Sequence, residues 1–200
     1  MLVREVMSRP VVTVGPDTPI RAAAAVLTGR GFTALPVVDG DRELIGIVTE
    51  ADLLRDRVRH DARSLRDEEL ARTPPARVRE VMTTEVVTVT PMADVADVVA
   101  RMQALGIRAL PVVRASDGLV GIVSRRDVLT TFTRADPAIA ADVRHRLENY
   151  AGPGRWEVAV DGGRVTLRDL LGDPAEEHPA AVVASGVRGV LHVRVLPVEP

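Results

Sequence analysis

The sequence predicts an α+β fold made of two similar halves and a smaller third part with its own pattern. Three observations carry that reading. The chain matches itself at an offset of 75 residues, with 23 identities in 53 positions between 3–55 and 78–130 and no gap. Each copy alternates short β-branched runs with helical segments, in the order β-α-β-β-α. Beyond residue 133 the repeat stops and an α-β-β-α-β order follows. The expected boundaries are 1–60 for the first repeat, 61–77 for a charged linker, 78–133 for the second repeat and 134–200 for the C-terminal domain.

In the first copy, Val11–Val14 reads as a short strand. Thr18 reads as a helix cap and Pro19 as the first helical residue. The helix runs through Ala22–Leu27 and stops at Gly31, a residue that tolerates the left-handed backbone of a helix end. Leu35–Val38 and Leu44–Val48 form two strands around an Asp39-Gly40 turn, and Thr49 opens a second helix. The second copy repeats this with a strand Val86–Val89, a helix near Asp94–Leu105 ending at Gly106, strands Leu110–Val113 and Leu119–Val123, and a helix opened by Ser124. Arg55–Arg77 is rich in Arg, Asp and Glu and reads as a solvated helix and linker. In the last third, Asp136-Pro137 caps and starts a helix, Ala138–Tyr150, with Ile139, Val143 and Leu147 on one face. Trp156–Val160 and Arg164–Leu167 flank an Asp161-Gly-Gly163 turn as a hairpin. A helix near Pro174–Ser185 and a strand Val190–Val195 complete the domain.

Composition removes whole classes of chemistry. The 200 residues carry 26 basic and 28 acidic groups, a net charge of −2, which offers no broad basic field for nucleic acid or anionic lipid. There is no Cys, which removes disulfides, zinc ribbons, iron–sulfur clusters and thiol catalysis. Every basic residue is Arg, so lysine chemistry is excluded. Four aromatic residues (Phe32, Phe132, Tyr150, Trp156) are too few for a base-stacking platform. Asp142, His145 and Glu148 read as one solvated helical face, and His60, His178 and His192 have no ligand-spaced partners. With no nucleophile elbow, dinucleotide loop or zinc motif, no catalytic or metal site is expected. No apolar run reaches about 18 residues and the start lacks a signal-peptide pattern, so a cytoplasmic protein is expected.

Two elements per copy have the chemistry to hold a nucleotide. Thr49-x-x-Asp52 and Ser124-x-x-Asp127 each place a hydroxyl at a helix start and a carboxylate one turn on. A hydroxyl with nearby backbone N–H groups suits a phosphate, and an Asp accepts from ribose hydroxyls. The same spacing serves a capping box that satisfies the helix start and binds nothing. The residues alone leave both readings open. The small apolar segments Gly31–Pro36 and Gly106–Pro111 can equally wall a purine or form a core strand edge.

The matched Val-Arg-Glu-Val-Met starts, the Gly-x-x-Ala-Leu-Pro-Val-Val segments and the Gly-Ile-Val-[Thr/Ser]-x-x-Asp segments, duplicated in register, resemble the tandem cystathionine-β-synthase (CBS) pair, or Bateman module, over about residues 1–133. The resemblance implies a regulatory protein, not an enzyme, that binds an adenosine-containing nucleotide in clefts between the copies. One cleft would use Thr49, Asp52, Thr88, Ile107, Arg108 and Ala109, the other Ser124, Asp127, Thr13, Phe32, Thr33 and Ala34. AMP, ADP, ATP or another adenosine derivative is the implied ligand, with no required cofactor. Arg108, where the first copy has Thr33, suits a phosphate, which makes the Asp52 cleft the expected site for a charged nucleotide. The resemblance also implies a homodimer through the helices at 19–30 and 94–105. The last third resembles the BON domain through Val-x-Val-Asp-Gly-x-x-Val-Thr-Leu (158–167) and Val187–Val193, departing from it at Asp169, where a Gly is usual. That implies a partner-protein or phospholipid contact. Residues 136–200 carry 7 Arg against 10 Asp and Glu, which disfavours an anionic membrane and favours a protein partner. A ligand-free interaction scaffold and a membrane-surface adaptor acting through the BON-like part are the alternative readings.

Overall fold

The computed structural model describes residues 1–55 and 73–196. Most of the charged linker and His60 lie outside them. The chain divides into two compact units: Met7–Ala93 with Asp97–Ser124, and Arg125–Pro200 with Met1–Val6 and Asp94–Ala96.

The unit built from the repeats contains α1 (Ile20–Arg30), β1 (Ala34–Val38), β2 (Leu44–Thr49) and α2 (Glu50–Leu54) from the first copy. The second copy contributes most of α3 (Val95–Ala104), then β3 (Ala109–Arg114) and β4 (Gly118–Ser124). β1 pairs antiparallel with β2 and β3 with β4, in the same register, Ala34 opposite Thr49 and Ala109 opposite Ser124. Ile20, Ala23 and Leu27 of α1 pack with Leu35, Val37 and Val48 of the hairpin and with Leu53, Val78 and Val81. Their equivalents Val98, Met102, Leu110, Val112 and Val123 are buried as well. Gly31 ends α1 at φ 63°, as its position predicts.

Two expected features differ in detail. Val11–Val14 and Val86–Val89 do not form strands. Only Val14 and Val89 pair, each as a single parallel bridge to Val37 and Val112. In the first copy a turn, Thr18 N–H to Gly15 C=O at 3.1 Å, carries the chain away before a ladder can extend. Nor does Thr18 cap α1. Its Oγ1 accepts from Gly15 N–H, the cap position is Pro19, and the first helical N–H, of Ile20, donates to Ala76 C=O at 3.0 Å. Backbone from the far end of the linker thus does what a capping side chain would do.

The two copies exchange their entry segments. Thr83 trades backbone hydrogen bonds with Ile47 of β2, both at 2.9 Å, and Ser8 trades them with Ile122 of β4 at 2.8 and 3.2 Å. Beside each exchange a methionine lies over a glycine. A Cβ on Gly46 would stand 2.8 Å from Met82 Sδ, and one on Gly121 would stand 2.5 Å from Met7 Sδ.

The other unit contains α4 (Arg125–Leu129), α5 (Asp136–Ala151), β5 (Trp156–Asp161), β6 (Arg164–Asp169), α6 (Glu177–Ser185) and β7 (His192–Leu196). Its sheet runs β5-β6-β7, antiparallel then parallel. Ile139, Val143 and Leu147 of α5 pack on Val165 and Leu167 of β6 with Ala180 and Ala184 of α6, so the helical stripe read from the sequence is the core face. Gly162 and Gly163 turn the hairpin at φ 54° and 75°, values that favour glycine. Asp136 does not cap α5, whose cap position is Ala135. Its carboxylate instead accepts from Gly162 and Gly163 N–H at 2.8 and 2.9 Å, tying the helix start to the hairpin turn.

Asp169, the departure noted above, organises the loop after β6. It is 3% exposed, takes two parallel bonds from Arg155 at 3.1 and 2.9 Å, and accepts from Leu171 and Asp173 N–H, both at 3.1 Å. Asp142 pairs with Arg134 at 2.7 Å on its solvated face. Among the described residues no helix is long and apolar enough to cross a membrane, and no group of three or more His, Asp or Glu is placed to hold a metal ion.

Two predictions follow from this packing. Gly46→Ala lowers stability by about 1–3 kcal/mol in denaturant unfolding. Met82 Sδ can rotate away, but Thr83 C=O, 3.2 Å from the new Cβ, is held by its hydrogen bond to Ile47. The Arg155 guanidinium, aided by the two backbone N–H groups, holds the Asp169 carboxyl below the usual carboxylate range. A lowered pKa in the folded state stabilises above the unfolded value of about 3.9, and that stability is lost as pH falls through the folded value. Thermal unfolding should therefore show Asp169→Asn less stable than wild type at neutral pH, the gap closing below about pH 4.

Candidate functional site

α2 begins where β2 ends, because Thr49 closes the strand and caps the helix. Thr49 Oγ1–H donates to Asp52 Oδ2 at 2.7 Å, Thr49 N–H donates to the same oxygen at 2.9 Å, and Asp52 N–H returns a long bond to Thr49 Oγ1 at 3.4 Å. The capping-box reading is thus realised, and Asp52 is 7% exposed within it. Its other oxygen, Oδ1, takes a 3.0 Å bond from Arg55. A carboxylate offers roughly four acceptor positions, so among the described residues three are engaged and one remains.

A cavity of about 420 Å³ opens beside this cap, within the size range of small-molecule sites. The first copy lines it with Thr33, Ala34, Ile47, Thr49, Glu50, Ala51 and Asp52. The second lines it with Thr83, Glu85, Val86, Val87 and the run Gly106–Leu110. The entry-segment exchange creates it: the Ile47–Thr83 pairing carries Glu85, Val86 and Val87 across to the hairpin of the first copy. The wall is mixed in character, with valines and alanines between Thr hydroxyls, three carboxylates and the Arg108 guanidinium.

Of the residues grouped from the sequence, the structure brings Thr49, Asp52, Ile107, Arg108 and Ala109 to this cavity. Thr88 is not among its lining; it is half-buried and its carbonyl accepts from Arg101 at 3.3 Å. Thr33 and Ala34, grouped with the other cleft, line this one, because the β1–β2 register sets Ala34 against Thr49. Thr13 and Phe32 are half-buried in the repeat unit and are not part of this lining. Ser124 ends β4, and Asp127 lies in α4. Sequence reasoning missed Glu50, Thr83, Glu85, Val86 and Val87. The signal was present in the positions where the copies disagree: Glu50 stands where the second copy has Arg125, and Glu85 where the first has Pro10.

The family model of the CBS domain matches residues 3–59 and 78–134. The chain belongs to the CBS domain family. It is 30% identical over 181 residues to an inosine-5′-monophosphate dehydrogenase of Methanocaldococcus jannaschii, a match covering 90% of this chain and 33% of that protein. The chain therefore spans about a third of the length of that dehydrogenase. A CBS domain-containing protein of Dictyostelium discoideum is 30% identical over 132 residues, 64% of this chain and 89% of that one. Among solved structures, the CBS domain pair of protein MJ0100 in complex with 5′-methylthioadenosine and S-adenosyl-L-methionine superposes with a TM-score of 0.53 at 28% identity, over 66% of this chain and 96% of that chain. CBSX2 in complex with AMP superposes with a TM-score of 0.54 at 28% identity, over 64% and 93%. The duplicated CBS architecture read from the repeat is thereby established.

The capping geometry makes its own prediction. Thr49→Val, which keeps the shape and removes the hydroxyl, costs about 1 kcal/mol in chemical denaturation with no ligand present. An unchanged midpoint would mean that the Thr49–Asp52 bonds do not support α2.

Proposed function

We propose that this protein is a non-catalytic sensor whose CBS pair binds an adenosine-containing ligand in the cavity beside Thr49 and Asp52. The observation that carries the reading is that both copies line one cavity, with the Thr49-x-x-Asp52 segment of one and the Gly106–Ala109 segment of the other on its walls. In this reading Asp52 accepts from ribose, the valines and alanines cover the adenine, and Arg108 faces the ligand's 5′ substituent. Solved relatives in complex with AMP, 5′-methylthioadenosine and S-adenosyl-L-methionine support the ligand class. Ser124 and Asp127, with Thr13 and Phe32, are proposed to form the second site of the pair.

The α-β-β-α-β domain, in this reading BON-like, is the output element. It contacts a protein partner rather than an anionic membrane, in keeping with its acidic balance. The pair forms a homodimer through the helices at 19–30 and 94–105. A second reading, a ligand-free scaffold, draws on one observation: Thr49 and Asp52 already satisfy each other as a capping box.

A thermal-shift titration with AMP, ADP, ATP, 5′-methylthioadenosine and S-adenosylmethionine separates the two. A ligand at 100 times its dissociation constant adds about 2.7 kcal/mol, or roughly 5–11 °C for a protein of this size. Asp52→Asn should abolish the shift from a ligand in this cavity, and Asp127→Asn that from a ligand in the second site. No shift from any of the five favours the scaffold. Light scattering that returns a monomer removes the homodimer.

A further inference from the structure

We infer that the Thr49–Asp52 cavity selects adenosine derivatives whose 5′ substituent is uncharged or cationic, of the thioether and sulfonium class, over those carrying a phosphate chain. The inference rests on the adenosine reading of the cavity and narrows it.

Charge balance carries the argument. The lining holds three carboxylates, Glu50, Asp52 and Glu85, against a single guanidinium, Arg108. Among the described residues no ion pair neutralises Glu50 or Glu85; only Asp52 has a cationic partner, in Arg55. Both glutamates are exposed. A phosphate chain would bring several negative charges beside Glu50 and Glu85, with Arg108 the one Arg of the lining to receive them. Like-charge juxtaposition of that kind is what suppresses a wrong partner. A sulfonium meets the opposite situation, and an amino-acid tail on it supplies a carboxylate for Arg108 and an ammonium for the glutamates.

The duplication makes the acidic character specific to this cavity. The repeat-equivalents of Glu50 and Glu85 are Arg125 and Pro10, while that of Arg108 is Thr33. At the matching positions of the other copy both carboxylates are thus absent, and the one guanidinium stands at Arg125 instead. Arg108 alone suggested a phosphate site; the two glutamates beside it reverse the balance.

Isothermal titration of the full chain at low ionic strength, with adenosine, 5′-methylthioadenosine, S-adenosylmethionine, AMP and ATP, tests the proposal. Asp127→Asn in the background removes the second proposed site from the readout. The expected order places S-adenosylmethionine and 5′-methylthioadenosine about tenfold or more tighter than AMP and ATP, a difference of about 1.4 kcal/mol. The double variant Glu50→Gln with Glu85→Gln should reduce that ratio by a comparable factor, chiefly by strengthening AMP and ATP, and 0.5 M salt should shrink it too. Both glutamates are exposed and outside the core, so the variant is expected to fold, with an unchanged melting temperature as the check. If AMP or ATP binds wild type more tightly than 5′-methylthioadenosine, or the variant leaves the ratio unchanged, the selectivity is overturned while the adenosine site stands. If none of the five binds, the adenosine reading falls and the selectivity with it.

Discussion

The repeat unit depends on an exchange of backbone between its two copies. Neither hairpin keeps its own entry segment: Ile47 of the first binds Thr83 of the second, and Ile122 of the second binds Ser8 of the first. These edges carry N–H and C=O groups that a two-stranded hairpin would leave unpaired, and an isolated two-stranded sheet is at best marginally stable. Exchange resolves both problems. It also explains Gly46 and Gly121, since the other copy's methionine, joined at Gly46 by the Thr83 carbonyl, approaches too closely for a side chain there. Met82 over Gly46 and Met7 over Gly121 are thus one contact made twice, which accounts for the reappearance of these residues at a fixed offset.

The cavity follows from the same exchange. Thr83 docks on Ile47, so the next residues of the second copy, Glu85 to Val87, pass along the first copy's hairpin. The β1–β2 register simultaneously sets Ala34 against Thr49, where β2 gives way to α2. Backbone pairing, rather than any affinity among the lining side chains, gathers these residues. The lining is therefore free to vary between the copies, and it does so at Glu50, Glu85 and Arg108 while the framework residues repeat.

Much of this was legible in the sequence, for a physical reason in each case. Gly31, the Asp39-Gly40 turn and the Gly162-Gly163 turn announce themselves because only certain residues tolerate those backbones or bond those turns. The helix stripe Ile139, Val143, Leu147 is visible because it is the buried face. What stayed hidden depends on partners distant in sequence. Val11–Val14 has strand composition, but pairing is set by how little of Val37's edge the turn at Gly15 allows it to reach. Thr18 and Asp136 have capping chemistry and spend it elsewhere, one on Gly15 and the other on a hairpin 26 residues away. Asp169 looked like a lapse from a glycine position. In place it holds Arg155 and two loop amides, a role that local sequence cannot display.

Asp52 shows how one residue can support a fold and, in the proposed adenosine reading, also receive a ligand. Its Oδ2 is committed to Thr49, and removing that pair frays α2. Oδ1 is held by Arg55, whose side chain is 62% exposed, and an ion pair with so exposed a partner contributes on the order of 1 kcal/mol or less. In the proposed reading a vicinal diol needs two acceptor positions where, among the described residues, one stands open, so full engagement of a ribose would displace Arg55 and leave the cap intact. The cost of that displacement is small and is recovered through a hydrogen bond to a charged acceptor. Such a rearrangement shifts a conformational equilibrium only to the extent that the ligand favours the Arg55-released state over the paired one. In this geometry the difference is built into a single carboxylate oxygen.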